Sequence, residues 1–355
     1  MSGTSLDGID AALVDLSGEA PELQATHYQT YPSDIKDALL ALHHPAPDEL
    51  HLSQIISSKL ARAYAEATLA LLKKAGVKAD QVQAIGCHGQ TVRHRPEFGY
   101  TVQLNNAALL AELTRIHVVS DFRSRDIAAG GQGAPLVPAF HALALRHANI
   151  HRAILNIGGI ANLTDLPPSG QVTGFDTGPG NLLMDAWIDK HLGRPYDKDG
   201  TWASSGKVVP TLLARLQAEQ FFSMPPPKST GRDLFNLLWL EGLLHGNEPP
   251  ADVQATLLAL TVNSIADAIK RFCPGTEELY LCGGGAHNGA LAADLQLVLP
   301  GCQIHKTDVL GIAADWMEAI AFAWLAQQTL HLRPANLPVV TGAEHPCILG
   351  AIYPA

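Results

Sequence analysis

The chain has 355 residues, 47% of them apolar, 16% charged and only 6% aromatic. That length supports about two domains with their own cores, and the composition excludes a disordered or low-complexity protein. A net charge of −10 excludes an extended nucleic-acid footprint, which needs clustered Lys and Arg. A nucleotide stays open, because backbone N–H groups and a metal ion can hold its phosphates.

Along the chain, short apolar runs ending in glycine-rich turns alternate with longer amphipathic stretches, the pattern of an α/β fold. A first strand is expected near Asp10 to Asp15. A helix follows over Ser53 to Lys74, with Ile56, Leu60, Tyr64, Ala67 and Leu71 along one stripe and Ser53 as N-cap. Strands near Gln83 to Cys87 and Val118 to Phe122 flank a helix near Asn105 to Leu113, and Gly130 to Pro135 forms a loop. A boundary near residue 150 divides a first lobe, 1–150, from a second, 151–355, whose last helix can pack back on the first. The second lobe should hold strands near Ala153 to Ile157 and Glu278 to Cys282. Its helices are expected near Leu182 to His191, Asp252 to Phe272 and Ala314 to Gln328.

Five cysteines, Cys87, Cys273, Cys282, Cys302 and Cys347, are dispersed without a C-x-x-C pair, which suits reduced thiols. The N-terminus has no basic and apolar leader pattern, and no uninterrupted apolar run reaches about 18 residues. A cytoplasmic protein without a membrane segment is therefore expected.

Four turns mix glycine with small hydroxyl or amide residues: Ser2 to Gly8, Asn156 to Asn162, Gly174 to Asn181 and Gly283 to Asn288. Glycine lets a backbone approach a ligand, and exposed N–H groups beside Ser, Thr and Asn donors form anion cradles. Any one of them is more often a plain turn, but four in one chain favour a phosphate cradle. No G-x-x-x-x-G-K-(S/T) and no strand-linked G-x-G-x-x-G occurs, so P-loop and Rossmann readings are weak. A two-domain kinase fits, with Gly283, Gly284, Gly285 and Asn288 opening a helix beside the adenosine.

Asp176 sits in a stretch too glycine-rich for a helix interior, so it is expected in a loop. Its carboxylate suits a general base, a magnesium ligand, or a cap on the helix near Leu182. Asp7 carries the same ambiguity. In Cys87 to His94, after a strand, Gln90 and Thr91 are placed for substrate or phosphate contacts. The spacing of His88 and His94 argues against zinc, and no protein metal site is expected. Arg123 and Arg125 either clamp an anion or pair with neighbouring Asp residues. Glu318 lies on the last helix, facing either solvent or a cleft. Pro225 to Arg232 forms an irregular surface loop bearing two cations.

These segments together resemble the anhydro-N-acetylmuramic acid kinase family over nearly the whole chain. The likeness rests on Met1 to Asp10, Gly86 to Val92, Asp121 to Arg123, Gly130 to Pro138, Asn156 to Asn162, Gly174 to Asn181, Lys228 to Arg232, Gly283 to Asn288 and Asp315 to Glu318. It implies a two-lobed, actin-like (ribonuclease H-like) α/β sugar kinase fold with ATP in a central cleft. It also implies Mg²⁺, an amino sugar as the other small-molecule partner, and a role in cell-wall sugar recycling. Gly3, Thr4, Ser5, Leu6, Asp7, Gly8, Ile9 and Asp10 inherit the ATP role, joined by Asn156, Gly158, Gly159, Asn162, Gly178, Gly180 and Asn181. Asp176 becomes the base that activates water, while Gln90, Thr91, Arg123, Arg125 and Glu318 hold the sugar. Relatives carry a short apolar strand before the Met-Ser-Gly-Thr segment, so the natural chain is expected to start several residues upstream. A homodimer is among the assemblies open to it. The rivals are another sugar or acyl kinase of this fold, or a non-catalytic nucleotide-dependent binding protein.

Overall fold

In the long helix Glu49–Ala75, the stripe Ile56, Leu60, Tyr64, Ala67 and Leu71 is buried throughout, as its 3.6-residue spacing requires. The computed structural model describes residues 1–3, 8–18, 20–43, 45 and 47–355. Contacts group Met1–Ala144 with Trp316–Ala355 as one unit and Leu145–Asp315 as another.

In the first unit, β1 (Gly8–Asp15) and β2 (Glu22–Thr30) form an antiparallel hairpin. Further along lie β3 (Ile85–Gly86), β4 (Gln90–Arg95), β5 (Tyr100–Leu104) and β6 (Val118–Ser120). β4 and β5 pair as a second hairpin, and β3 runs parallel to β6. Ile9, Leu39, Leu60, Leu110 and Val118 share one apolar core. Burying each such side chain is worth about 1.5–3 kcal/mol, so the helix stripe is a large part of what holds this unit.

The second unit contains β7 (Arg152–Ile157), β8 (Ile160–Leu166), β9 (Thr173–Pro179), β10 (Glu278–Cys282) and β11 (Gln303–Lys306), in the sheet order β11-β10-β7-β8-β9. β7, β8 and β9 form an antiparallel meander, while β10 and β11 continue it in parallel beyond β7. Three antiparallel strands extended by two parallel ones give the α/β, ribonuclease H-like sheet that was expected. The 23-residue helix Pro250–Phe272 buries Val253, Leu257, Leu260, Ile265 and Ile269, and its first residue, proline, suits a helix start. The chain ends with β12 (Ala351–Tyr353), antiparallel to β6 in the first unit.

Several boundaries differ from expectation. The long helix starts at Glu49, so Ser53 lies inside it and donates Oγ–H to the Leu50 carbonyl at 2.7 Å. An acidic residue in the first turn is favoured by the helix dipole, and Glu49 is also fixed by an ion pair with Arg93. The helix expected from Asn105 runs Ala107–Thr114, capped by the Asn106 side chain, which accepts from Leu109 N–H at 3.0 Å. The last helix is Met317–Leu330, preceded by a short tighter turn at Ala314–Trp316. Among the described residues no helix is long and apolar enough to cross a membrane. None of the five cysteines forms a disulfide, and all are buried.

Candidate active site

Asp176 lies on a strand rather than in a loop. Despite Gly174, Gly178 and Pro179, residues Thr173–Pro179 pair with β8, because the proline ends the strand and β9 is the sheet's edge, where a missing donor costs least. On the outer side of β9, Asp176 N–H donates to the Lys228 carbonyl at 3.1 Å. Residues directly opposite in a sheet share a face. Asn156 faces Asn162, and Asn162 faces Asp176, so two carboxamides and a carboxylate form one row across β7, β8 and β9.

The turns at the ends of these strands converge. Gly180 N–H donates to Gly159 O at 2.9 Å, Asn181 N–H to Gly158 O at 2.8 Å, and Leu182 N–H to Gly159 O at 3.1 Å. The Asn181 carboxamide donates to Ile157 O at 3.3 Å. Gly283 continues from β10, beside β7, so the second, third and fourth glycine-rich stretches meet at one corner of this unit.

Close approach separates the glycines. A Cβ on Gly285 would stand 2.3 Å from Ile157 Cγ2, and one on Gly180 would stand 2.4 Å from the Gly158 carbonyl oxygen. These two are glycines because the turns pack on each other. A Cβ on Gly158 would meet nothing nearer than 3.6 Å, and one on Gly284 nothing nearer than 4.0 Å. Those two backbones border open space, the condition for a ligand to lie against them. Gly178 sits on β9 opposite Ala161. The Asn288 side-chain oxygen caps the helix Gly289–Val298, accepting from Leu291 N–H at 3.1 Å.

Asp176 is not a helix cap; Asn181 occupies that position at Leu182. Its Oδ2 accepts from Ser229 Oγ–H and from Thr230 N–H, each at 2.9 Å, while Oδ1 has no hydrogen bond among the described residues. Burial pushes its pKa up to about 6, against the Thr230 and Ser229 hydrogen bonds and the Lys228 charge, which pull it down. At neutral pH it is a carboxylate with one oxygen held and one free, and its basicity is close to ambient pH. Lys228 is buried rather than exposed on a surface loop. Its ammonium donates to Phe221 O at 3.1 Å and sits 4.5 Å from the Phe221 ring centre, and burial lowers its pKa to about 8. Ser229 and Thr230 went unassigned in the sequence. Their only signal was the Lys228 to Arg232 match, because they lie 53 and 54 residues from the carboxylate they hold.

In the first unit the polar residues hold one another. Gln90 is buried and donates Nε2–H to Gly3 O at 3.1 Å, and Thr91 Oγ accepts from Gln103 at 3.2 Å. Arg123 donates to His88 and to Gly133 O. Burial pulls its pKa down to about 10, countered by the charges of Glu318 and Asp126, so it stays a cation. Arg123 is therefore not tied to a neighbouring aspartate. Asp126 Oδ2 accepts from Gly133 N–H, and its Oδ1 from Asn336 and Thr341. Arg125 is exposed. Gly8, Ile9 and Asp10 begin β1, with Asp10 N–H donating to Met1 O at 2.8 Å. Thr4, Ser5, Leu6 and Asp7 lie outside the described residues.

Open glycine backbones at converging turns, beside a carboxylate titrating near neutrality, suit an enzyme that transfers a phosphoryl group and manages a proton. The whole chain, residues 1–355, matches the profile of the family described as anhydro-N-acetylmuramic acid kinase. It is 58% identical to the anhydro-N-acetylmuramic acid kinase of Nitrosospira multiformis, over 100% of this chain and 98% of that one. The same identity and coverage hold for the protein of that name from Nitrosomonas europaea. Among solved structures, the chain is similar to the activator of the 2-hydroxyisocaproyl-CoA dehydratase from Clostridium difficile with bound ADPNP. That likeness has a TM-score of 0.44 and 10% identity, covering 93% of this chain and 100% of that one. The chain belongs to the anhydro-N-acetylmuramic acid kinase family, and so to the ATP-using phosphotransferases.

Proposed function

We propose that this enzyme adds water across the internal ether of 1,6-anhydro-N-acetylmuramic acid while transferring the γ-phosphoryl group of ATP to O6. The products are N-acetylmuramic acid 6-phosphate and ADP, returned to metabolism from cell-wall sugar. The observation that carries this reading is Asp176: one oxygen held by Ser229 and Thr230, the other without a hydrogen bond among the described residues, and a pKa raised to about 6.

Asp176 takes a proton from the water that attacks C1. As the new C1–O bond forms, the C1–O6 bond breaks and its electron pair stays on O6. O6 bonds to the γ-phosphorus, and the bond to the ADP oxygen breaks. No separate acid is needed for O6, because the phosphoryl group captures the charge that a proton would otherwise quench. The fold's part is to hold the water, C1 and the phosphate in line, which replaces a large entropic cost with fixed geometry.

Open backbone at Gly158 and Gly284 supports a phosphate cradle there, with Asn156, Asn162 and Asn181 as neighbouring amides. Mg²⁺ fits as a companion of the phosphates. Among the described residues no three His, Cys, Asp or Glu gather, so these residues offer it at most one or two carboxylates, the usual share for a nucleotide-bound Mg²⁺. Its chemistry would be to neutralise the transferring phosphoryl group. Arg123, with Gln90, Thr91, Arg125 and Glu318, is assigned to the sugar. Buried cysteines without disulfides support a cytoplasmic setting.

The test is the reaction in oxygen-18 water with ATP and 1,6-anhydro-N-acetylmuramic acid, against N-acetylglucosamine and no sugar. Label at C1 of a 6-phosphorylated product made from the anhydro sugar alone is expected. Label in the phosphate, or equal turnover of N-acetylglucosamine, would overturn the reading.

A further inference from the structure

Arginine is usually oriented by a carboxylate, which cancels its charge as it holds it. Arg123 is held by two neutral acceptors instead. Nε–H and an Nη2–H point at His88 Nε2, at 3.1 and 2.9 Å, and an Nη1–H donates to Gly133 O at 2.8 Å. The tautomer of His88 follows from its second contact. Its Nδ1 lies 2.7 Å from the Gly89 carbonyl oxygen, which can only accept, so Nδ1 carries the proton and Nε2 presents a lone pair.

We infer that His88 is a positioning residue for Arg123, fixing the guanidinium by a neutral acceptor so that two of its five N–H groups remain for the sugar. This rests on the assignment of Arg123 to the sugar made above. Three N–H groups are spent on His88 and Gly133, and the other two have no hydrogen bond among the described residues.

The imidazole is itself fixed. It is 5% exposed and packs against the Phe322 ring at 4.7 Å between centres, and Phe322 in turn meets Phe122 at 5.3 Å. Burial first, and the adjacent Arg123 charge second, hold its pKa well below the usual histidine value. His88 therefore stays neutral through the physiological range and serves as an acceptor rather than as an acid or base. Gly133 is held too, since its N–H donates to the buried Asp126 carboxylate at 2.8 Å. Both neutral acceptors around Arg123 are thus anchored independently of any ligand.

A double-mutant cycle tests this, with KM for 1,6-anhydro-N-acetylmuramic acid and KM for ATP measured separately in His88→Phe, His88→Gln, Arg123→Ala and the His88→Phe/Arg123→Ala pair. Phe keeps the ring and removes the acceptor, whereas Gln keeps an acceptor oxygen. The expected result is a sugar KM raised about tenfold in His88→Phe, equivalent to the loss of one good hydrogen bond. ATP KM should be unchanged, His88→Gln should recover most of the loss, and His88→Phe should add nothing in the Arg123→Ala background. Additive effects in the double variant, or a normal sugar KM in His88→Phe beside a raised one in Arg123→Ala, would overturn the inference while leaving Arg123 on the sugar. A normal sugar KM in Arg123→Ala would overturn the assignment beneath it, and the inference with it. Should His88→Phe fail to fold, by its melting temperature, the comparison of His88→Gln with Arg123→Ala decides: a raised ATP KM in His88→Gln sinks the inference.

Discussion

The corner of converging turns in the second unit and the Arg123 cluster in the first are both polar, yet they are held in different ways. In the turns, the groups that border open space are backbone, and strand pairing fixes them: Gly158 and Gly284 stand clear because β7, β8 and β10 set where the turns emerge. In the first unit, side chains do the holding, His88 on the Arg123 guanidinium and Asp126 on the Gly133 N–H and the Asn336 and Thr341 side chains. Backbone-built sites fail when the fold shifts, whereas side-chain networks fail when one partner is removed.

The largest expected effect is at Asp176, which combines both modes. Asp176→Asn preserves an oxygen to accept from Ser229 and Thr230 but removes the base. Turnover should fall by about 10² to 10⁴, the usual range for general base catalysis, while calorimetric affinity for ATP and sugar changes little. Lost ATP affinity would instead place the carboxylate on the metal.

Next in size is a pair of glycine substitutions that sharpens the comparison within the turns. Gly285→Ala drives a methyl group into Ile157 and should cost about 1–3 kcal/mol of stability by denaturant unfolding. Gly284→Ala meets no such clash, so its stability should be near normal while its KM for ATP rises. Equal destabilisation by the two would break the distinction between packing and ligand-facing glycines.

How much of this the chain discloses in advance depends on the range of the interactions. The Ile56 to Leu71 stripe is local, and its helix was legible. The strand β9 was not, since Gly174, Gly178 and Pro179 mimic a loop and only pairing with β8 and the bond to Lys228 make it extended. Asp176 stood out as an acid among glycines, but the groups that hold it lie more than fifty residues away. Glycines at 284 and 285 look alike in sequence and differ only by what Ile157 occupies. His88 was visible after a strand, while its partner became visible only with the fold. Lys228 looked like a surface cation and is buried against Phe221, whose carbonyl accepts from its ammonium, a contact that nothing in the adjacent proline run announces.

A smaller effect is expected at Ser229, whose hydroxyl stabilises the Asp176 carboxylate. Ser229→Ala should move the acid limb of the pH–rate profile to higher pH, because losing a donor to the charged form makes protonation easier. An unmoved limb would remove Ser229 from the account. The smallest effect is at Ser53, which is inside its helix rather than capping it. Ser53→Ala should change stability by less than about 0.5 kcal/mol, against about 1 kcal/mol for a true N-cap.

The central claim, that Asp176 is the base, is tested most directly by kcat/KM against pH in the unmodified enzyme and in Asp176→Asn. Its pKa is raised, so burial favours the protonated form. The fold gains stability from it at low pH and loses that stability as pH rises through about 6, while activity runs the opposite way because only the carboxylate accepts a proton. The account predicts a rate that climbs through pH about 6 and then levels in the unmodified enzyme, with no such limb in the residual activity of the Asn variant. The same limb surviving in Asp176→Asn would contradict it.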